Sequence, residues 1–277
     1  MSALNVLVQS TKPFQGVASG VWSSTIRRPG HIISKTTQGK PVTVGRLLSQ
    51  VQSTPNQTML LGQCTEGLPV FMGLDDPLAG AVLIIGENSC GRTHQLQVMV
   101  DSAIRRHSAE KLRISILTLH PEEWATLKKD IHQQKYLKAI HAWYDRGSEI
   151  LIRKIMNSAE MRRDGQPYTA HHMILLDDLN FIEYLSYESQ MNLHWLLTYG
   201  AQLGFTMVAT LNTVYASNFR YWVDIFRTRI FGRNEINNAA DRVAMHPGLE
   251  TKSLATGSFR VFSEGDWLTY QLPMLGD

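Results

Sequence analysis

The stretch AVLIIGENSCGRT, residues 81–93, decides which fold we expect for this chain. It begins with a short, continuously apolar run, which is typical of a strand buried in a parallel sheet. Its last eight residues, 86–93, have the spacing of a phosphate-binding loop, G-x-x-x-x-G-K-[ST], except that Arg92 stands at the lysine position. The residues that follow have the apolar periodicity of a helix. The order of strand, glycine-bearing turn and helix is the context that such a loop requires.

A loop of this kind aims backbone N–H groups and the positive end of a helix dipole at one point, which favours a bound phosphate. Gly86 permits a sharp exit from the strand, and Gly91 permits close approach of the phosphates. Arg92 is planar and bulkier than lysine, so its positive charge reaches the phosphates differently. We therefore expect ATP to bind, and efficient hydrolysis is less well supported. The alternative is a strand-to-helix turn without a ligand. The predicted nucleotide-contacting residues are Gly86, Glu87, Asn88, Ser89, Cys90, Gly91, Arg92 and Thr93.

The segment HHMILLDD, residues 171–178, predicts a strand that ends in two acids. Asp177 stands where a strand-end acid holds the ligand shell of Mg²⁺, so Thr93 and Asp177 are the predicted metal ligands. Asp178 stands where a carboxylate orients the attacking water, although its side chain is one methylene shorter than that of glutamate. The plain alternative is an Asp-Asp cap that faces solvent after the strand.

A third segment, FTMVATLNT, residues 205–213, predicts a strand that ends in polar residues. Thr210 is suited to contact the γ-phosphate or the attacking water, and Asn212 supplies an amide nearby. A simple strand-to-loop cap is nearly as good an interpretation for each residue alone. The predicted catalytic residues are thus Asp178 and Thr210.

Composition restricts the remaining possibilities. The 277 residues carry a formal net charge of +3, which permits nucleic acid as a partner without arguing for it. The basic clusters at 105–107, 128–129 and 162–163 are interpreted as solvated faces, and His171-His172 as a polar strand start without metal-ligand spacing. Two distant cysteines, no apolar run long enough for a membrane span and no signal peptide predict a cytoplasmic protein.

Strands and helices alternate through the middle of the chain, which predicts an α/β fold with a mostly parallel sheet flanked by helices. Two hairpins are expected in addition, one around Glu66-Gly67 and one around Glu264-Gly265. Residues 1–57 lack strong periodicity and are interpreted as an N-terminal extension that packs on the main domain or on a partner. The main domain is expected to span residues 58–277.

Over roughly residues 58–272, the order of these motifs resembles the FtsK/SpoIIIE/HerA group of RecA-like motor ATPases. More narrowly, it resembles the tandem ATPase domains of EccC-type proteins in type VII secretion. The order and spacing of the segments carry this resemblance together. The segments are GLPVFMGLDDPLAGAVLIIGENSCGRT, ILTLHPEEW, LIRKIMNSAEMRRDG, ILLDDLNFI, YGAQLGFTMVATLNT, FRTRIFGRN and LATGSFRVF.

The resemblance implies a RecA-like P-loop NTPase fold, ATP and Mg²⁺ as ligands, and a homo- or hetero-oligomeric ring that moves DNA or a secreted protein. It also implies an arginine presented to the neighbouring subunit's nucleotide, for which Arg227, Arg229 and Arg233 are all available. The chain departs from the family's pattern at Arg92, Asp178, Leu211-Asn212 and Ser258. These departures indicate a degenerate member, and the alternative function is a pseudo-ATPase that serves assembly or regulation with little or no hydrolysis.

Overall fold

The structure is a computed structural model that describes residues 6–8, 42–51, 58–74, 76–235 and 239–276. Most of the predicted N-terminal extension therefore lies outside the described residues. Within them the chain forms eleven strands and eight α-helices. The strands are β1 (Val6–Val8), β2 (Thr58–Cys64), β3 (Pro69–Gly73), β4 (Val82–Gly86), β5 (Leu112–Thr118), β6 (Leu137–Ala142), β7 (His171–Leu176), β8 (Phe205–Asn212), β9 (Thr228–Gly232), β10 (Ser258–Ser263) and β11 (Asp266–Gln271). The α-helices are α1 (Val44–Ser49), α2 (Arg92–Arg106), α3 (Ala125–Lys129), α4 (Ile131–Gln134), α5 (Arg146–Arg163), α6 (Tyr187–Tyr199), α7 (Arg220–Val223) and α8 (Ala239–Val243).

All strands join one sheet in the order β1-β3-β2-β11-β10-β9-β4-β8-β7-β5-β6. The strands from β9 to β6 pair in parallel, and those from β1 to β9 pair antiparallel. The carboxyl ends of the parallel strands therefore share one edge of the sheet, which is where open α/β sheets bind ligands. The expected mostly parallel sheet with added hairpins is confirmed.

The sheet is buried on both faces. Val82 and Ile84 of β4 pack in one apolar cluster with α2, whereas Leu83 and Ile85 pack in another with α5 and α6. Because successive residues of a strand point to opposite faces, a strand covered on both sides must be apolar throughout. The continuous apolar run of β4 therefore reflects its place in a central sheet that has α2 on one face and α5 and α6 on the other.

The described part of the N-terminal segment packs on the main domain. Val44 and Leu47 of α1 lie in an apolar cluster with Leu60, Phe71 and Val98. The segment after β11 contacts the same helix, because the main-chain N–H of Val44 donates to the carbonyl of Met274. The predicted domain boundary at residue 57 stays a prediction.

The interpretation of residues 162–163 as a solvated basic face is wrong for Arg162. Its guanidinium donates to the carbonyls of Leu203, Gly204 and Ala170 and lies 4.1 Å from the ring centroid of Phe205. The side chain thus satisfies backbone acceptors where the turn before β8 approaches the start of β7. No helix in the described segments is both long and apolar enough to cross a membrane.

His171 and His172 begin β7, so the predicted polar strand start is confirmed; the His171 side chain is buried and that of His172 is half-buried. His171 Nε2 lies 2.6 Å from the hydroxyl of Thr206, and His172 Nε2 lies 2.9 Å from the hydroxyl of Ser115. Burial lowers the pKa of His171 from 6.5 to about 4 and that of His172 from 6.5 to about 3. Both side chains are therefore neutral in the folded protein at neutral pH.

Because of these lowered pKa values, we expect acid to destabilise the fold already at pH values well above the pKa range of the carboxylates. Below about pH 6.5 both histidines become protonated in the unfolded chain but not in the folded chain. The free energy of unfolding therefore decreases as the pH is lowered. We expect a loss of about 3 kcal/mol between pH 6.5 and pH 5 for the pair, measured by urea denaturation. His172→Asn should remove about half of this dependence, and the exposed His132→Gln should leave it unchanged. A free energy of unfolding that stays constant over this range would contradict the assignment.

Candidate functional site

The loop between β4 and α2 lies at the carboxyl edge of the parallel strands. The first i to i−4 hydrogen bond of α2 runs from the N–H of Gln95 to the carbonyl of Gly91 (2.8 Å). The N–H groups of the helix's first turn therefore have no partner at i−4, and the positive end of the helix dipole points the same way. This arrangement suits an anion such as phosphate.

Two glycines shape the loop as the sequence predicts. Gly91 has a φ of 107°, a conformation that favours glycine. At Gly86 a Cβ atom would lie only 2.4 Å from Cys90 Sγ, so the loop folds back onto the strand with no room for a side chain. Burial raises the pKa of the Cys90 thiol to about 11, which keeps the thiol neutral as a small packing group.

Asp177 is the buried centre of the site. Its carboxylate accepts hydrogen bonds from three threonine hydroxyls: Thr210 at 2.7 Å, Thr93 at 3.1 Å and Thr118 at 3.3 Å. Its main-chain carbonyl accepts from the indole N–H of Trp143 (2.6 Å). Burial raises the pKa of Asp177, while the hydrogen bonds from Thr210 and Thr93 act in the opposite direction. The hydroxyls therefore favour the ionised form in a pocket that disfavours it.

The two predicted metal ligands, Thr93 and Asp177, thus touch each other although they lie 84 positions apart. A hydroxyl and a carboxylate beside a phosphate-binding loop form the donor set that Mg²⁺ prefers, with the remaining ligands supplied by water and phosphate. The residues present therefore fit Mg²⁺. In the described ranges, no group of three or more His, Cys, Asp or Glu side chains is placed to hold a metal ion.

Arg92 forms an ion pair with Asp178. Arg92 Nη1 lies 3.2 Å from Asp178 Oδ1, and Nη2 donates to Asn88 Oδ1 at 3.4 Å. Asn88 in turn accepts from the amide of Asn212 (2.7 Å) at the end of β8. The predicted catalytic Asp178 therefore has the loop arginine as its direct partner.

The predicted catalytic Thr210 lies between the two acids. Its hydroxyl accepts from the N–H of Asp178 (2.7 Å) and donates to the carboxylate of Asp177. Asp178 has a φ of 61°, which is uncommon for a residue with a side chain, and this hydrogen bond holds it there. In this structure Thr210 positions the acid pair, and its contact with a ligand stays a prediction.

Glu87 faces away from the acid pair toward the other end of the loop. Its carboxylate pairs with Arg233 at 3.1 Å and accepts from the N–H of Glu235, also at 3.1 Å. Arg229 donates to the carbonyls of Val243 and Val223 and is nearly buried, so this side chain holds the surrounding backbone together. Of the three candidate arginines for a neighbouring subunit, Arg227 is the exposed one without such contacts.

Three residues of the site carry no role in the sequence interpretation. Thr118 is the last residue of β5, and Trp143 directly follows β6, so both lie beside Asp177 only because β5 and β6 join the parallel sheet. Glu123 follows β5, and burial together with the charges of Asp177 and Asp178 raises the pKa of Glu123. All three lie at or after the carboxyl end of a strand, and the strand order is needed to place them beside the acid pair.

No family model matches the sequence, and no curated protein matches it. Many solved structures are similar in fold, among them the following three. The first is ATPases 2 and 3 of EccC from Thermomonospora curvata, in complex with a signal sequence peptide (13% identity, TM-score 0.66, covering 86% of this chain and 44% of that one). The second is ATPases 2 and 3 of EssC from Geobacillus thermodenitrificans (13% identity, TM-score 0.64, covering 86% of this chain and 45% of that one). The third is the pCW3 conjugation coupling protein TcpA with ATPγS (13% identity, TM-score 0.57, covering 79% of this chain and 66% of that one).

This chain spans less than half of the EccC and EssC chains that it matches. At this identity the similarity establishes the fold: the chain has the RecA-like α/β P-loop NTPase fold of the EccC and EssC ATPase domains. The fold expected from the order of the sequence motifs is confirmed.

The close packing of the loop gives a test by paired substitution. Gly86→Ala should lower the free energy of unfolding by about 1–3 kcal/mol, because its methyl group overlaps Cys90 Sγ. Cys90→Ala in the same chain removes the sulfur and should restore most of that loss. Denaturant unfolding of both single variants and the double variant measures the coupling.

Gly165→Ala is the control for this pair. Unlike Gly86, Gly165 has a positive φ, and no neighbouring atom lies within 4 Å of the added Cβ, so its cost comes from the backbone alone. Cys90→Ala should not restore this loss. A Gly86→Ala cost that is unaffected by Cys90→Ala would contradict the packing argument.

Proposed function

We propose that the chain binds ATP with Mg²⁺ at the carboxyl edge of its parallel strands and serves as the nucleotide-binding domain of a motor-type assembly. The observation that carries the proposal is the contact between Thr93 and Asp177 at the start of α2, where the N–H groups of the first helical turn have no partner at i−4. A hydroxyl at the start of a helix and a carboxylate from a neighbouring strand meet where Mg²⁺ and phosphate need them.

The residues divide the work by their chemistry. The amides of the loop and of the first turn of α2 hold the phosphates, and Arg92 neutralises part of their charge. Thr93 and Asp177 hold Mg²⁺, which supplies charge stabilisation to the phosphate groups when it is bound. Asp178 is the residue placed to orient a water, and Thr210 fixes the backbone of Asp178 through its 2.7 Å hydrogen bond.

The ion pair between Arg92 and Asp178 favours a second candidate function. A water-positioning carboxylate must be free to accept a proton or a hydrogen bond, and the guanidinium occupies this one. The second candidate is therefore a pseudo-ATPase, a module that binds nucleotide for assembly or regulation and hydrolyses it slowly or not at all.

We further propose that the assembly is an oligomeric ring that moves a polymer, with a protein polymer favoured over DNA. Several arginines of the basic clusters have internal partners and are not free for phosphates of nucleic acid. Arg105 pairs with Asp101 (2.9 Å), Arg106 lies 5.5 Å from the ring centroid of Phe71, and Arg162 binds carbonyls. The EccC structure, which contains a signal sequence peptide, is consistent with a peptide substrate. Affinity for DNA that falls steeply with salt would reverse this choice.

Calorimetric titration with ATP tests the nucleotide site. We expect binding in the presence of Mg²⁺, and a loss of about tenfold or more in affinity for Asp177→Asn or Thr93→Ala, since each removes a metal ligand. Asp101→Asn, an acid-to-amide change at the far end of α2, should leave the affinity unchanged. Failure of the wild type to bind at millimolar ATP would overturn the site.

Turnover separates the two candidate functions. If the chain is a pseudo-ATPase, wild-type ATP hydrolysis should be slow, and Asp178→Asn should change it little. Robust wild-type turnover that Asp178→Asn abolishes would instead establish a hydrolysing motor domain. Phosphate release should be measured at saturating ATP, so that the rate reports the chemical step and not the affinity.

A further inference from the structure

Arg92 belongs to a closed ring of polar contacts. From Arg92 the contacts run to Asp178 (3.2 Å), from Asp178 N–H to Thr210 (2.7 Å), and, on the other side, from Arg92 to Asn88 (3.4 Å) and from Asn88 to Asn212 (2.7 Å). Thr210 and Asn212 both belong to β8, so the strand closes the circuit. We call these five residues the Arg92 ring.

Both partners of Arg92 are held in place by other contacts. The backbone of Asp178 is fixed by Thr210, and Asn88 is fixed by Asn212, whose own side-chain oxygen accepts from the N–H of Val214 (3.0 Å). The Arg92 side chain is only 11% exposed. Its two terminal nitrogens therefore have defined acceptors before any ligand arrives.

A carboxylate and a phosphate bind a guanidinium in the same way, through charge-assisted hydrogen bonds to its N–H groups. The residue at this position of a phosphate loop reaches the β- and γ-phosphates. A phosphate that takes the Nη1 N–H group of Arg92 therefore competes with the carboxylate of Asp178. A ligand without a phosphate at that place leaves the ion pair intact.

Resting on the proposed nucleotide site, we propose that Asp178 is an internal competitor of phosphate for Arg92 and thereby sets the affinity and selectivity of the site. The competition weakens binding of nucleotides whose β- or γ-phosphate reaches Arg92, and it leaves shorter ligands such as AMP unaffected. Asp178 thus narrows the difference in affinity between ATP and AMP. Displacement by phosphate also frees the carboxylate of Asp178, so this acid is released only when nucleotide is bound.

A double-mutant cycle tests this assignment. The four proteins are the wild type, Asp178→Asn, Arg92→Met and the double variant, each checked for folding by thermal unfolding. The ligands are a non-hydrolysable ATP analogue and AMP, both with Mg²⁺ at fixed ionic strength, titrated by calorimetry or, for weak binding, by NMR to millimolar concentrations. Asp101→Asn, which removes the partner of Arg105 on the same helix, is the matched control.

We expect Asp178→Asn to raise affinity for the ATP analogue by about three- to tenfold when Arg92 is present, as for the release of one ion pair. In the Arg92→Met background the gain should shrink to less than about twofold. Affinity for AMP and the behaviour of Asp101→Asn should not change.

Two outcomes overturn the proposal alone while the nucleotide site stands. One is an equal gain in both backgrounds, which would mean that Asp178 acts only by repelling negative charge. The other is an unchanged or lower affinity of Asp178→Asn. If none of the four proteins binds the analogue at millimolar concentration, the nucleotide site itself is wrong and the competition falls with it.

Discussion

The structure depends on one buried carboxylate. Asp177 follows β7 at the carboxyl edge of the sheet, where it receives hydroxyl groups from β5, β8 and the start of α2. A carboxylate that is taken out of water costs several kcal/mol unless hydrogen bonds compensate it. The three hydroxyls supply that compensation, and they also draw together two strands and a helix that are distant in sequence. The same contacts that stabilise the charge therefore assemble the site.

This constraint extends to the neighbouring residue. Asp178 has a left-handed backbone conformation, and its N–H is held by the hydroxyl that binds Asp177. Backbone strain of this kind persists where surrounding contacts determine the conformation, and it is frequent at functional sites. The result is that the two carboxylates have different environments: that of Asp177 is buried among hydroxyls, and that of Asp178 is directed at Arg92.

The sequence predicts most of the sheet because the central strands are buried on both faces. β4 is a continuous apolar run, β7 has one from Met173 to Leu176, and β8 is mostly apolar, while α2 and α5 carry one apolar face, so local pattern suffices for them. β6 is different, since it is an edge strand whose residues are mostly half-exposed and show no continuous run.

The sequence places the loop, the acid pair and Thr210 near the ends of strands, and the structure brings them together because the carboxyl ends of parallel strands share an edge. The pairing of Arg92 with Asp178 is not predictable in this way. It joins residues 86 positions apart and depends on side-chain reach and on the unusual φ of Asp178. Local pattern likewise gives no sign of the internal hydrogen bonds of Arg162 and the two histidines, because their partners come from other strands and turns.

Arginine in place of lysine changes the site by geometry as well as by charge. The guanidinium has several N–H groups in one plane, so it can donate to Asn88 and Asp178 at the same time. A lysine ammonium is a compact group that is more strongly hydrated and lacks this planar fork. The departure at position 92 and the shorter acid at 178 are therefore coupled: the arginine reaches an aspartate that is held by β8, and each determines the electrostatic surroundings of the other. Arg92→Lys, the substitution toward the common loop pattern, removes the guanidinium. It leaves Asp178 positioned for a group that is no longer there.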